Sequence, residues 1–321
     1  MKSENNISNI TDDKGDGVKL VISKEEVLSR KFVLKGKTIG ISISESDNLM
    51  ELGYGVAHLK DAMVEVARYI LSLGGKVAYG GDMRQGGFTE LMFDLLAYYK
   101  ADKELPPNER FFSFLAWPLS LNLTTEKQAE LIQNVSFKKI APPQDLQIAN
   151  VNEFIKPDSP ENLYVWSRCL TKMREEMESE CNARIFIGGR TKGFKGKCPG
   201  ILEELLIAIT KNHPIYLIGA YGGVTKDIID ALNNKESNSF SNEYYFDNTE
   251  YQKMYNIYNE KHPESKIDYP QYLSTLKNLS FKSISKINGL SESENQRLAA
   301  TPHISEIVYL ILKGLTNSFV S

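Results

Sequence analysis

Short apolar segments alternate with segments of helical periodicity along the middle of the chain, from about residue 35 to residue 235. The first, Lys37–Ser44, is a β-branched run that ends in polar residues, which is typical of a buried strand leading into a loop. Behind it, apolar positions recur at the spacing of a helix face: Leu59, Ala62, Met63, Val66, Tyr69, Ile70 and Leu73. Gly74-Gly75 follows and predicts the end of that helix.

The same alternation predicts further strands and helices. The strands are Lys76–Tyr79, Phe111–Ala116, Val135–Ile140, Ala183–Ile187 and Ile215–Ile218. The helices are Thr89 to about Lys100, Thr124–Gln133, Leu163–Met177, Ile201–Thr210 and Lys226–Leu232. Short apolar strands separated by helices indicate a parallel sheet covered on both faces. The predicted fold class is therefore α/β: a Rossmann-like open parallel sheet with helices on both faces, plus a C-terminal helical appendage.

Both ends of the chain depart from this alternation. Residues 1–30 are polar and are expected to form a separate N-terminal segment. Residues 236–275 are rich in Asn, Ser and Tyr and fit an insertion, with a lid, an interface and a surface elaboration all open as its role. Ser291–Glu294 has the form of a capping box, so helices are predicted to close the chain. We therefore predict an α/β domain over residues 31–235, with residues 236–321 packed on it.

Composition and charge exclude several classes of protein. The 321 residues include 38 basic and 41 acidic ones, for a net charge of −3, and no long basic stripe is present. A duplex nucleic acid is therefore not an expected partner. The apolar runs Pro214–Ala220 and Val308–Leu312 are far shorter than the roughly 20 residues that span a bilayer, and Met1–Asn6 shows no secretory signal. We expect a cytoplasmic protein without a membrane partner.

The cysteines and histidines do not suggest a metal site. Three cysteines, Cys169, Cys181 and Cys198, lack metal-ligand spacing, and their number is typical of a reduced compartment. The histidines are scattered along the chain: His58, His213, His262 and His303. Neither G-x-G-x-x-G nor a P-loop pattern occurs. We therefore expect no metal and no cofactor, and we interpret His213, between a helix and a strand, as a capping residue.

Four loops follow predicted strands and should meet at one rim, because ligands of open parallel sheets bind beyond the carboxyl ends of the strands. They are Ser42–Asp47, Gly80–Phe88, Gly188–Gly200 and Gly219–Gly223. In the second loop, glycine amides and the start of a helix suit an anion, and Arg84 could hold a phosphate in a bidentate manner. The alternative is a tight turn that needs its glycines only for positive φ.

The loop Gly188–Gly200 is the most basic of the four. Its cations, Arg190, Lys192, Lys195 and Lys197, suit a phosphate, and the alternative is that they are simply solvated. Glu203 and Glu204 lie in the first turns of the helix that follows. One of them could bind a ribose hydroxyl, although the helix dipole favours carboxylates there without a ligand. Neighbouring helix positions are about 100° apart, so at most one is expected to face the cleft.

These loops resemble those of the SLOG superfamily, the Rossmannoid group that includes LOG phosphoribohydrolases, DprA/Smf proteins and nucleotide-sensing domains. The family's first strand corresponds to Ile39–Ser46 and its Gly-Gly turn to Tyr79–Gly81. Its late P-G-G-x-G-T-x-x-E motif corresponds in part to Pro199–Leu206, with Ile201 in place of the threonine that would contact phosphate. The resemblance covers roughly residues 35–235 and looks closest to divergent bacterial branches linked to nucleotide signalling and antiviral defence.

The resemblance implies a small nucleotide or NAD-derived ligand, and it leaves two kinds of function open. The first is an N-glycosidase: the glutamate of the LOG motif, which aligns with Glu204, helps cleave a nucleotide's glycosidic bond beside an arginine, and Arg84 falls in the corresponding loop. Glu45 and Glu90 are the further candidate catalytic carboxylates. The second is a non-catalytic sensor in a bacterial defence or stress pathway, with a homo-oligomer formed through the C-terminal helices as an open alternative. A scaffold whose glycine-rich loops are only turns is the third, plainer option.

The predicted ligand-binding residues all lie in or beside the strand-end loops. They are Ser42, Ser44, Gly80, Gly81, Arg84, Gly86, Gly87, Gly188, Gly189, Arg190, Lys197 and Gly200.

Overall fold

The computed structural model describes residues 32–81, 86–98, 109–235 and 238–320, and within these ranges six strands form one sheet. The predicted segment 1–30 and Arg84 lie outside the described residues. The strands are β1 (Thr38–Ser44), β2 (Lys76–Gly80), β3 (Phe111–Ala116), β4 (Ser136–Ile140), β5 (Ala183–Gly188) and β6 (Ile215–Ile218). Every pairing is parallel, and the order across the sheet is β4-β3-β2-β1-β5-β6.

Twelve α-helices occur in the described ranges. Those that connect or follow the strands are α1 (Val56–Ser72), α2 (Phe88–Tyr98), α3 (Thr125–Leu131), α4 (Pro160–Glu180), α5 (Gly200–Thr210) and α6 (Gly223–Leu232). The C-terminal part contains α7 (Asn242–Phe246), α8 (Thr249–Lys261), α9 (Tyr269–Asn278), α10 (Phe281–Ile284), α11 (Glu292–Ala300) and α12 (Ile304–Val320). The predicted α/β fold class is therefore confirmed: the protein has a Rossmann-like open parallel sheet with helices.

The predicted element bounds differ from the observed ones mainly at helix starts. The helix predicted from Leu163 begins at Pro160, because the Ser159 side chain accepts a hydrogen bond from the Asn162 amide and proline fits the first helical position. The helix predicted from Lys226 begins at Gly223. In both cases the first turn lacks the apolar periodicity from which the helix was predicted.

The chain reverses direction across the sheet between β1 and β5. It moves outward from β1 through β2 and β3 to β4, then returns through α4 to place β5 on the other side of β1. Ser42 pairs with Phe186 and Ser44 with Gly188, so the carboxyl ends of β1 and β5 are level. Such a switch point opens a crevice between two loops, and this is where ligands bind in open α/β sheets.

The two faces of the sheet differ at β1 because successive side chains alternate. Ile39, Ile41 and Ile43 pack in a core with α1 and α12. The opposite face of the same strand carries Gly40 and Ser42, and α4 and α5 cover it. The apolar face holds the sheet to its helices, and the small and polar face leaves room for charged side chains.

The C-terminal part packs on this core. Among the elements in contact, α8 packs on α4, α9 on α6, α11 on β6 and α12 on α1. The capping box predicted at Ser291 is confirmed, since the Ser291 Oγ accepts from the Glu294 amide and Glu294 Oε2 accepts from the Ser291 amide. The division at residue 235 stays a prediction. Among the helices of the described ranges, none has both the length and the apolar composition needed to cross a membrane.

An ion pair between α11 and α12 makes the stability of the fold depend on pH in the acid range. Arg297 holds both oxygens of Glu306, at 2.6 and 2.7 Å, and with Thr301 it lowers the pKa of that carboxyl to about 2. A pKa lowered by folding stabilises the protein above the unfolded value of 4.5, and this contribution is lost as the pH falls towards 2. The variant Glu306→Gln should therefore melt slightly below the wild type at pH 6. Thermal melts should show that difference closing as the pH drops below 4, whereas a difference that grows in acid would contradict the assignment.

Candidate functional site

The ends of β1 and β5 are joined by backbone and side-chain hydrogen bonds. The Gly189 amide donates to the Ser44 carbonyl at 2.9 Å, and the Arg190 amide donates to the Ser44 Oγ at 3.3 Å. Asp47 Oδ2 accepts from the Thr191 amide at 2.8 Å and from the Thr191 hydroxyl at 2.6 Å. Asp47 therefore fixes the start of the basic loop, a role that its place among other polar residues did not reveal in the sequence.

The loops after β5 and β6 approach each other closely through glycine. Gly223 has φ +63°, and a Cβ there would overlap the Gly189 carbonyl. The Gly223 amide donates to Asn48 Oδ1 at 3.1 Å, and the Val224 amide donates to the Gly189 carbonyl at 3.1 Å. The first amides of α6 are thus engaged by the protein itself, so α6 offers an anion less than its glycine-rich start suggests.

Below the rim, Glu204 lies in a buried group of charged side chains between α5 and the sheet. Its Oε2 accepts from the Ser42 hydroxyl at 2.5 Å and from the Arg184 guanidinium, which also donates to the Ser42 Oγ at 2.7 Å. Arg184 is fully buried, and the Glu204 side chain is 12% exposed. The structure therefore brings two predicted residues, Ser42 and Glu204, onto an arginine that the sequence analysis did not select.

A second arginine, Arg174 of α4, lies between the two glutamates of α5. It donates to Glu203 Oε2, and its Nε lies 3.5 Å from Glu204 Oε1. Glu203 Oε1 also accepts from the Thr171 hydroxyl at 2.5 Å and lies 3.7 Å from the Lys197 ammonium. Both glutamates therefore contact Arg174, and the expectation that at most one of them faces the cleft stays a prediction.

The group extends to the end of α4 through Glu178. This buried carboxylate lies 3.3 Å from Arg184 Nε, and its other oxygen lies 2.6 Å from His213 Nδ1. His213 is a capping residue, as predicted, since its amide donates to the Ala208 carbonyl at 3.2 Å just past the end of α5. Its side chain in addition contacts Glu178 at the end of α4. We call Arg174, Arg184, Lys197, Glu178, Glu203 and Glu204 the buried ion cluster.

The cluster keeps its arginines charged and leaves the cysteines unreactive. Burial alone would lower the pKa values of Arg174 and Arg184, but the neighbouring glutamates outweigh it and raise them. Burial raises the pKa of the Cys181 thiol, which lies beside Arg184, to about 12, and that of Cys198 still further. A thiolate nucleophile is therefore not available at either position near neutral pH.

Gly40 leaves the space that Arg184 fills. The two residues are partners in the β1–β5 register, and a Cβ at Gly40 would lie 2.5 Å from Arg184 Cδ. We expect Gly40→Ala to lower the free energy of unfolding by about 1–3 kcal/mol through overpacking. Gly80→Ala on β2 is the matched control, because its Cβ would make only ordinary contacts, the shortest 3.4 Å to Met173. Denaturant unfolding that shows equal losses in the two variants would contradict this close packing.

The start of α5 combines two positive features. Among the described residues, no side chain caps its first turn, and Pro199 occupies the N-cap position. A Cβ at Gly200 would lie 2.7 Å from Arg174 Nη2, so the guanidinium lies against the helix start. The Arg174 Nε has no hydrogen-bond acceptor within the described part of the chain. A helix N-terminus and a buried guanidinium that has an N–H without a hydrogen bond among the described residues together suit a small anion.

The remaining predicted residues lie apart from this cluster. Glu90 is a carboxylate in the first turn of α2: it accepts a hydrogen bond from the Gly86 amide at 2.5 Å and lies 3.6 Å from Lys127. Gly87 follows Gly86 in the same turn before α2. Gly81 faces the Ser113 and Thr89 hydroxyls, and neither hydroxyl has a partner among the described residues. Glu45 pairs with Arg190 at 3.2 Å on the surface. Within the described ranges, no group of three or more His, Cys, Asp or Glu side chains is arranged to hold a metal ion.

The family of the chain follows from its match to the family model described as SLOG cluster 2. That match runs from residue 33 to residue 298 and includes the whole sheet, the buried ion cluster and most of the C-terminal part. The chain belongs to the SLOG cluster 2 family. Membership indicates nucleotide-related binding, and it confirms the predicted superfamily.

This SLOG protein was also compared with solved structures and with curated proteins. It is similar to the X-ray structure of TM1055, a structural genomics target, with 16% sequence identity and a TM-score of 0.34. The match covers 60% of this chain and 79% of that one, and at this score it carries no argument about the site. No curated protein matches the chain significantly.

Proposed function

We propose that this SLOG protein binds a phosphorylated nucleotide or an NAD-derived ligand at the β1–β5 rim, with a phosphate at the start of α5. The observation that carries the proposal is Arg174, whose buried guanidinium lies against Gly200 and whose Nε makes no hydrogen bond among the described residues, although Glu204 Oε1 lies 3.5 Å away. A phosphate oxygen there would accept from that N–H and from the first amides of α5. Lys197, from the preceding loop, would add a second cation.

The other predicted ligand residues would enclose the sugar and base. Ser44 and Gly188 lie level at the rim, Arg190 begins the loop above them, and Gly80 and Gly81 end the neighbouring strand. The short side chain of Ser44 and the absence of side chains at Gly188, Gly80 and Gly81 allow a ligand to approach the backbone closely. Arg84 stays a prediction for the same ligand.

The state of Glu204 favours binding over catalysis. A general base must be free to take a proton, but Glu204 Oε2 is already engaged by Ser42 and Arg184, and Arg174 lies beside Oε1. Two guanidinium groups also offset the negative charge that would stabilise an oxocarbenium-like transition state. The proposed function is therefore a nucleotide sensor, and its place in a bacterial defence or stress pathway stays a prediction from the family.

Hydrolysis of the glycosidic bond is the second candidate, and one observation favours it. Glu204 is the carboxylate of the buried ion cluster with the greatest exposure, and among the described polar contacts its Oε1 has just the one at 3.5 Å with Arg174. That oxygen could orient a water molecule against a sugar. Glu45 and Glu90 are weaker candidates, since each has a surface cation as its partner.

Calorimetric titration with phosphorylated and unphosphorylated ligands tests the proposal. AMP and NAD should bind the wild type, and adenosine, the matched control without phosphate, should bind at least about 100-fold more weakly because charge-assisted hydrogen bonds are lost. Chromatography of the same mixtures should show no released base. Equal affinities for AMP and adenosine, or no binding of AMP, GMP, CMP, UMP and NAD, would overturn the proposal. Released base that disappears in Glu204→Gln would instead establish the glycosidase.

A further inference from the structure

A large cavity lies between α4 and the C-terminal helices, on the far side of Glu203 from Arg174. Its volume is about 590 Å³, which is within the roughly 300–1,000 Å³ typical of small-molecule sites. We call it the α4–α8 cavity. Its polar walls come from Arg168, Thr171 and Lys172 of α4, Lys197 of the basic loop, and Tyr258 and His262 at the end of α8.

Two of the three cations of this cavity are deep, the third, Lys172, is 31% exposed, and the carboxylates are at the mouth. The side chains of Arg168 and Lys197 are 16% and 18% exposed, whereas those of Asp145 and Glu264 are 57% and 71% exposed. Glu175, the third lining carboxylate, is also exposed. Solvent screens exposed charges far more than buried ones, so the carboxylates at the mouth repel an anion less than their number suggests.

Lys172 is the most weakly paired of the three cations that line the cavity. The three cluster glutamates face Arg174, Arg184 and Lys197, and Asp145 faces Arg168 at 2.9 Å. Lys172 makes only long contacts, 3.4 Å to the Pro142 carbonyl and 3.9 Å to the exposed Glu176. Its ammonium therefore retains donors for a ligand.

Neighbouring side chains hold the guanidinium of Arg168 and the ammonium of Lys197 in place. Arg168 donates to the Tyr164 hydroxyl at 3.3 Å and to Asp145, and it contacts His262, which stacks on Tyr164. Burial alone would lower the pKa of Lys197, but the Glu203 carboxylate outweighs it and raises that pKa, so the ammonium stays charged near neutral pH. A fixed guanidinium and two ammonium groups around one cavity match the negative oxygens of a phosphate group.

We propose that the α4–α8 cavity is a second anion site next to the start of α5, with Lys197 at the border of both, and that it binds a phosphate-bearing small molecule through Lys172 and Arg168. The phosphate could belong to a free ion or to the distal part of a longer nucleotide, and the chemistry of recognition is the same. Inorganic pyrophosphate is a suitable probe because it carries this chemistry without a base or sugar.

Calorimetric titration of pyrophosphate into the full-length protein tests this site. One equivalent should bind the wild type, with an affinity that falls as salt is raised. Lys172→Gln should weaken binding at least about tenfold, since hydrogen bonds to charged groups are the strong ones. Lys195→Gln, which removes an exposed lysine of the basic loop outside the cavity lining, should bind as the wild type does. No binding to the wild type, or equal losses in the two variants, would overturn the proposal.

Two further arms separate this site from the nucleotide site. Pyrophosphate should still bind in the presence of saturating AMP, and complete displacement by AMP would overturn a second site. A nucleotide with a longer phosphate chain, such as ATP, should lose affinity in Lys172→Gln if its distal phosphate is the occupant, while AMP should not. Pyrophosphate binding without AMP binding would support the cavity and count against the proposed function alone.

Discussion

Replacing Arg184 with methionine is expected to lower the free energy of unfolding by about 3–5 kcal/mol, the largest loss we predict for a single substitution. Arg184 is fully buried and lies between Glu178 and Glu204. Methionine fills a similar volume but leaves two carboxylates without their main cation, and burying an unpaired charge is costly. Chemical denaturation monitored by far-ultraviolet circular dichroism measures the loss.

The control for this prediction is Arg190→Met. Arg190 also pairs with a glutamate, Glu45, but both side chains are well exposed, so its removal should change stability by about 1 kcal/mol or less. Adding Glu204→Gln to Arg184→Met should recover part of the loss, because the double variant no longer buries that charge. A loss below about 1 kcal/mol in Arg184→Met would show that the cluster is solvated and would contradict the account of Glu204.

Replacing Arg174 with glutamine is expected to lower the affinity for AMP by about 100-fold, because the charge-assisted hydrogen bonds to the phosphate are lost. Arg174→Lys keeps the positive charge beside Glu203 but loses the planar guanidinium. This variant should therefore fold normally and bind AMP at least about tenfold more weakly than the wild type does. Arg68→Gln is the matched control, since that arginine lies on α1, on the opposite face of the sheet, and pairs only with Glu65 among the described ion pairs. AMP binding by Arg174→Lys at wild-type affinity would remove Arg174 from the site.

The fold could be predicted from the sequence because its elements follow apolar periodicity. Five of the six strands are short, mostly apolar runs, and the helices between them carry apolar stripes, so both period and length separate strands from helices. The exception is the edge strand β4, which contains Lys138 and Lys139. The two helix starts that were placed too late, at Pro160 and Gly223, depend on a cap and on a glycine contact between loops. Such local contacts do not leave a periodic signal.

The buried ion cluster could be predicted only in part. Ser42 and Glu204 were accessible because they lie in a strand-end segment and in a family motif. Arg174 was not, because a cation in the middle of a long amphipathic helix is most often solvated. Arg184 left a signal that can be read afterwards: a charged residue inside the apolar strand Ala183–Gly188, in register with Gly40 on the neighbouring strand.

The insertion shows the same limit. For residues 236–275 a lid, an interface and a surface elaboration were all open, and the structure places tyrosines of this segment on the basic loop of the same chain. Tyr251 donates to the Lys197 carbonyl at 2.6 Å, Tyr244 donates to the Thr191 hydroxyl at 3.2 Å, and Phe194 packs edge-on against Tyr245. These contacts join residues far apart in sequence, so no spacing rule could reveal them. They hold the loop that brings Lys197 to Glu203.

The most direct test of the central claim is a crystal structure of the protein with AMP. The phosphate of AMP should lie within hydrogen-bond distance of the Gly200 amide and the Arg174 guanidinium, with the sugar towards Ser44 and Gly188. A phosphate found at another place on the protein, with Arg174 still bound only to Glu203 and Glu204, would contradict the account.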